Sequence, residues 1–161
     1  MLNNLLIVTS LRNWNEQNKR LLSLVNSMNE EQLESHIAPG RNSGTYLLGH
    51  LAAINYTMLT LFDLGENPHP KLETIYLLNA DKAIIHDYKT DDLKKLLVDS
   101  IQLFEEKSKA LTEADWLDRH MNITEEEFKT QQHRNKINVL ISRTLHLVYH
   151  LGQLSLLKKA I

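Results

Sequence analysis

The sequence predicts an all-α protein, a bundle of four long helices. Apolar residues recur at helical spacing in four long segments. The 161 residues include only five glycines and three prolines, too few for a turn-rich sheet protein. The breakers that matter, Pro39-Gly40, Gly65, Pro68 and Pro70, fall between those segments.

A chain of this length makes one domain, residues 1–161, with a real core. Its formal net charge of -2 invites neither nucleic acid nor an anionic membrane surface. It has no cysteine, which excludes disulfides, thiolate ligands and a cysteine nucleophile. No basic residue precedes the short apolar patch at the N-terminus, so it does not resemble a secretory signal. No apolar run approaches the roughly 20 residues of a membrane-spanning helix. A soluble cytoplasmic protein is expected.

The first helix is predicted over residues 2–28, with Leu11, Trp14, Leu21, Leu22, Val25 and Met28 on its apolar face. Trp14 reads as core. Residues 29–42 form a polar connection, in which Asn29 and Gln32 sit at the spacing of a capped turn. Ser43 caps a second helix running to about Phe62. Leu47, His50, Ile54, Thr57, Met58 and Leu61 share its inward face, with Asn55 and Leu59 nearly opposite. Gly65 is the expected stop. Residues 66–90 read as a long link with room for a short helix, long enough to cross the length of a bundle. Thr90 caps a third helix, with Asp91 and Asp92 at its positive end and Leu93, Leu96, Leu97, Ile101, Phe104 and Leu111 as its stripe. Thr112 with Asp115 starts a short turn around Trp116. Residues 117–134, with Glu125 to Glu127 in a row, read as a solvated connection.

The fourth helix is expected from about Asn135 to the C-terminus. Ile137, Leu140, Ile141, Thr144, Val148 and Leu151 form one apolar arc, widened by Leu147 and Leu154. Val139, Arg143, His146, His150, Gln153 and Leu157 form the opposite stripe. Such a helix is covered on more than one side, the arc by the core or a second subunit and the stripe by a polar pocket.

That stripe carries the chemistry. His146 and His150 are four residues apart, a little over one turn, so both imidazoles leave the same face. A helix offers two nitrogen ligands to one metal at this spacing, although so short a motif also recurs by chance. Leu147 follows His146, so the zinc-protease pattern and its glutamate base are absent. A third ligand can come from His50, about a hundred residues upstream; alone, it reads as a core histidine. Three imidazoles suit zinc, nickel, copper or iron and leave a coordination position open, as catalytic sites do. Gln153 can orient His150 or touch a ligand. Arg143 can steer an anion, or make a surface salt bridge. His36, His69, His86, His120 and His133 fall in links and read as surface residues.

Residues 46–52 (YLLGHLA) and 145–154 (LHLVYHLGQL), in this order on a four-helix pattern and with Trp116-Leu117 before the polar link, resemble the DinB-like family of metalloenzyme-like four-helix bundles (the YfiT/DinB group). The resemblance spans essentially the whole chain. It implies up-down-down-up connectivity with a long crossover between helices two and three. It places a divalent-metal triad, nickel or zinc, on His50, His146 and His150, and it implies a homodimer. Similar proteins include thiol S-transferases using low-molecular-weight thiols, metal-dependent hydrolases and isomerases. Many relatives carry Arg directly after the last histidine, where this chain has Leu151, and that puts any role of that arginine in doubt here.

The expected function is therefore that of a metal-dependent enzyme acting on a small molecule, a thiol S-transferase or a hydrolase. No carboxylate in these motifs is an obvious general base. Two alternatives stand beside it: a non-catalytic, stress-related metal or small-ligand binding protein, and a helical dimer whose histidines fill polar niches.

Overall fold

The computed structural model describes residues 2–158. These form eight helices: α1 (Leu2–Asn26), α2 (Glu30–Glu34), α3 (Gly44–Leu61), α4 (Lys71–Tyr76), α5 (Thr90–Ser108), α6 (Glu113–Leu117), α7 (Glu125–Thr130) and α8 (Lys136–Ser155). The long ones, α1, α3, α5 and α8, are those the apolar periodicity predicts; the rest are single turns or little more.

The helix boundaries follow from capping. Asn29 and Gln32 exchange bonds across the first turn of α2, each side chain accepting from the other's backbone N–H (2.9 and 3.0 Å). Ser43 Oγ accepts from Tyr46 N–H at the start of α3 (3.1 Å). Thr112–Asp115 and Thr124–Glu127 repeat this reciprocal arrangement before α6 and α7. At the start of α5, Thr90 is not the cap. It is the first helical residue and is buried, while Lys89 holds the extended cap position and its N–H donates to Asp92 Oδ2 (3.2 Å). The acids still sit at the positive end of the helix. Gly65 does not stop α3. Asp63 does, in the left-handed region at φ 60°. Leu64 N–H then reaches back to the Leu59 carbonyl (2.8 Å) and Asp63 N–H to the Thr60 carbonyl (3.2 Å).

α3 packs chiefly on α5 and α4, and α1 on α8. Trp14 of α1, Phe104 of α5 and Phe62 form a chain of edge-to-face rings with centroids 5.1 and 5.4 Å apart. Trp116 of α6 extends it (5.7 Å from Phe62). α3 has almost no solvent face. Asn55 and Leu59, expected to lie opposite the core, are both buried, and Asn55 is satisfied by Ser100 Oγ (3.1 Å).

The segment before α8 is largely exposed, as a solvated connection would be, but its backbone is anchored and two of its side chains are buried. Met121 N–H donates to the Leu61 carbonyl and Lys136 N–H to the Asp118 carbonyl, both at 3.0 Å, and Ile123 and His120 are buried. Glu125 to Glu127 occupy the first turn of α7, beside the unpaired N–H groups there.

α8 ends at Ser155. Leu156 and Leu157 close it with tighter bonds to the carbonyls three residues back. Leu157, expected on the polar stripe, turns inward against Gly44, where an added Cβ would lie 2.6 Å from Leu157 Cδ1. The expected run of this helix to residue 161 falls outside the described residues. The arc drawn from the wheel holds with one exception: Ile137, Leu140, Thr144, Leu147 and Leu154 are buried and Ile141 and Leu151 half-buried, while Val148 lies outward beside Leu145 and Tyr149; His150, from the opposite stripe, is buried too. Within this chain α8 is covered on one broad side.

Candidate metal centre

α3 carries His50 and α8 carries His146 and His150 to one point. The ligand atoms of the three imidazoles lie within 4.8 Å of one another. His146 Nε2 is 2.9 Å from His150 Nε2 and 3.4 Å from His50 Nε2. Two imidazole nitrogens bound tetrahedrally at zinc distances stand roughly 3.3 Å apart. No Asp or Glu joins the cluster among the described residues.

Outer contacts set the tautomers of two rings. His50 Nδ1–H donates to the Tyr76 carbonyl (2.9 Å). His150 Nδ1–H donates to Gln153 Oε1 (2.7 Å), and Gln153 Nε2 donates to Tyr149 Oη (3.1 Å). With protons fixed on both Nδ1 atoms, both Nε2 atoms present lone pairs to the centre. His146 Nε2 can give a proton to only one of them. The donor set therefore fits a cation. His146 Nδ1 is buried without a partner among the described residues, so only two of the three rings have an outer acceptor.

Tyr76 reaches the site through a close approach. Gly49 of α3 lies against its ring, where an added Cβ would come within 2.6 Å of three ring atoms. Tyr46 stacks on His50 with centroids 6.2 Å apart, and its hydroxyl donates to the Asn79 carbonyl (2.6 Å). The segment from Tyr76 to Asn79 is thereby pinned to α3 beside His50.

Burial lowers the pKa of all three histidines. For His50 the Tyr76 bond opposes this and the Arg143 charge adds to it. For His150 the Gln153 bond opposes and His50 adds. His146 falls furthest, to about 4, with His150, His50 and Arg143 adding to burial. All three are neutral at pH 7, the form that ligates metals.

Of the residues singled out from the sequence, His50, His146 and His150 meet at one point and Gln153 touches His150. Gln153 holds His150. Arg143 is half-buried and belongs to no ion pair among the described residues, so the surface salt bridge is not formed. A cavity of about 250 Å³ opens beside His150, lined by Ile37, Gly40, Arg41, Asn42, Tyr149 and Gln153. A larger one, about 820 Å³, lies between α4, α5 and residues 84–88 and touches none of the three histidines.

Of the histidines expected at the surface, one is buried and two are partly covered. His120 is buried, its Nδ1 accepting from Asn122 N–H (3.2 Å). His86 is half-buried against Tyr76 Oη (3.1 Å), and His69 packs half-buried on Tyr56 with centroids 4.8 Å apart. Sequence reading missed Tyr76, Tyr149 and Arg41. Tyr149 is four residues before Gln153 on one helix, a spacing that signals the contact. The Tyr76 contribution is a backbone carbonyl and leaves no residue signal.

With this geometry in place, comparison with known families is decisive: the sequence profile of the DinB superfamily matches residues 13–154. The chain belongs to the DinB superfamily. The match runs from α1 through the last turn of α8 and includes all three histidines. No curated protein matches the chain significantly. No helix among the described residues is long and apolar enough to cross a membrane.

Proposed function

We propose that this DinB-superfamily protein binds a divalent transition metal, nickel or zinc, on His50, His146 and His150. We further propose that it acts as a metal-dependent enzyme on a small molecule, by thiol S-transfer or hydrolysis. The observation that supports this most is the pair of lone pairs at His50 and His150 Nε2, aimed at a third nitrogen 3.4 and 2.9 Å away, with their protons committed elsewhere. A bound divalent metal would supply a Lewis acid that acidifies a thiol or a water. The chain's own part is orientation. The Tyr76 carbonyl and Gln153 hold two rings in the ligating tautomer, Tyr149 holds Gln153, and burial keeps all three imidazoles unprotonated. With no cysteine in the chain, the thiol is a low-molecular-weight cosubstrate.

In this reading the chain is one domain, a four-helix bundle in up-down-down-up order, with α4 and its flanks as the crossover. It works in the cytoplasm as a homodimer. The outward apolar face of α8, with Leu145 67%, Tyr149 62% and Leu156 70% exposed, supports the dimer. A second reading, non-catalytic metal or small-ligand binding in a stress-related protein, draws on the cluster holding no carboxylate base among the described residues.

Metal analysis of the purified protein tests the shared premise. Wild type should carry close to one divalent ion per chain, and His146→Ala should carry almost none with its helicity kept. Equal metal in both would refute the site. Turnover of thiol–electrophile or ester panels by the loaded protein then separates the enzyme from the binder.

A further inference from the structure

The cavity of about 250 Å³ beside His150 is walled on one side by α8 and on the other by residues 37–42. The second wall is fixed by its own backbone. Pro39 and Gly40, the latter at φ 69°, take the central places of a turn closed by Arg41 N–H on the Ala38 carbonyl (3.0 Å), the pattern of type II. Just outside it, Ile37 N–H donates to the Asn42 carbonyl (3.1 Å). His36 Nδ1–H donates to the Arg41 carbonyl (2.6 Å), and Lys82 Nζ donates to the other ring nitrogen of His36 (3.0 Å). Main-chain bonds thus place Arg41 at the cavity. Its side chain is exposed, and no carboxylate pairs with it among the described residues.

No acidic side chain lines this cavity. Gln153 is committed to His150 and Tyr149. Tyr149 Oη accepts from Gln153 and keeps its own proton to give. What faces a ligand is therefore a set of donors: the Arg41 guanidinium, the Asn42 amide and the Tyr149 hydroxyl. A divalent ion on three neutral imidazoles would add positive charge with no protein anion beside it. Such a wall favours negative oxygens and disfavours a cation. His150 is part of the same lining, so a molecule in the cavity lies against a ring of the centre.

We propose that the molecule handled at the histidine centre sits in this cavity and carries a carboxylate that pairs with Arg41. One guanidinium fork matches one charge shared by two coplanar oxygens. A phosphate, close to doubly charged at neutral pH, calls for a second cation, and the cavity side chains include none. The space is also below the ~300–1,000 Å³ of drug-sized sites, so the molecule is compact. The assignment rests on the metal-centre reading and deepens it: the metal is the common anchor and Arg41 the specificity element.

The test uses the full chain loaded with cobalt(II), whose visible absorption reports a change of ligand. Cobalt content is measured first, by itself. The loaded protein is then titrated with 3-mercaptopropionate, 2-mercaptoethanol and cysteamine, which share the thiol and end in an anion, a neutral group and a cation. Wild type should bind them in that order, the first over the second by about five- to ten-fold, as a charged hydrogen bond at a part-screened site gives. Added salt should narrow the gap, because Arg41 is exposed. Arg41→Gln should lose the gap at unchanged cobalt content, and Arg41→Glu should move cysteamine ahead of 3-mercaptopropionate. Both variants keep the turn, since Arg41 joins it through main-chain atoms. A gap of the same size in Arg41→Gln, which chelation of cobalt by the carboxylate would give, overturns the assignment. So does the lack of a gap in wild type, or displacement of 3-mercaptopropionate by inorganic phosphate more readily than by propionate. Those results leave the metal centre standing. Failure of wild type to take up cobalt overturns the centre itself.

Discussion

The depressed histidine at the centre makes the metal-free protein acid-sensitive in a predictable window. An unfolded chain protonates His146 near 6.5, whereas the folded site holds it at about 4. Between those values the unfolded state binds the extra proton, so stability is full above pH 6.5 and is lost as pH falls through the folded value. At ~1.36 kcal/mol per pH unit the gap is worth at most ~3.4 kcal/mol. His146 is partly solvated and titrates together with His50 and His150, so screening reduces this to about 1–2 kcal/mol. Urea unfolding of metal-free wild type and His146→Ala at pH 7.5 and 4.5 measures it. Wild type should lose about 1–2 kcal/mol more than the variant between the two buffers, which is roughly 2–8 °C in melting temperature for a chain of this size. Identical losses would mean that the burial and mutual repulsion of these rings do not oppose protonation. The reasoning from geometry to pKa would then fail.

Other consequences are as direct. Gln153→Leu removes the acceptor of His150 Nδ1–H and should weaken metal binding roughly 10–100-fold by competition against a chromogenic chelator, with the fold unchanged. Tyr149→Phe, which only unfastens Gln153, should have a smaller effect in the same assay. Gly49→Ala drives a methyl into the Tyr76 ring and should cost about 1–3 kcal/mol in denaturant unfolding. It should lower metal affinity only to the extent that the displaced ring draws the Tyr76 backbone, and so the carbonyl that holds His50, along with it. Trp14→Ala, at the opposite side of the argument, should cost about 3–5 kcal/mol while leaving metal stoichiometry intact in whatever protein remains folded.

The long helices were legible because each must bury one stripe, and a stripe leaves a period in the sequence. The histidine cluster was legible for a related reason. The spacing of His146 and His150 is set by the helical turn, and the DinB-like resemblance placed His50 with them. What escaped depends on neighbours. α3 is enclosed on all sides, so its wheel has no polar face from which to infer an opposite one. On α8 the residue that escaped was Val148, as apolar as a core residue yet outward with Leu145 and Tyr149. The segment around His120 and Ile123 looks polar by composition, but its backbone is tied to the end of α3, and composition does not report backbone bonds. Asp63 took the left-handed position that Gly65 seemed to mark, since an aspartate tolerates that conformation better than most side chains.

The three imidazoles differ in how they are held, and so in how far substitution can retune them. His50 is clamped by a main-chain oxygen that no codon change can delete. His150 hangs on the amide of Gln153, which a single base change can swap for a weaker or an acidic acceptor. His146 has no clamp among the described residues. Ligand strength at this centre can therefore drift or be engineered at two corners while the third stays fixed by the path of the crossover chain.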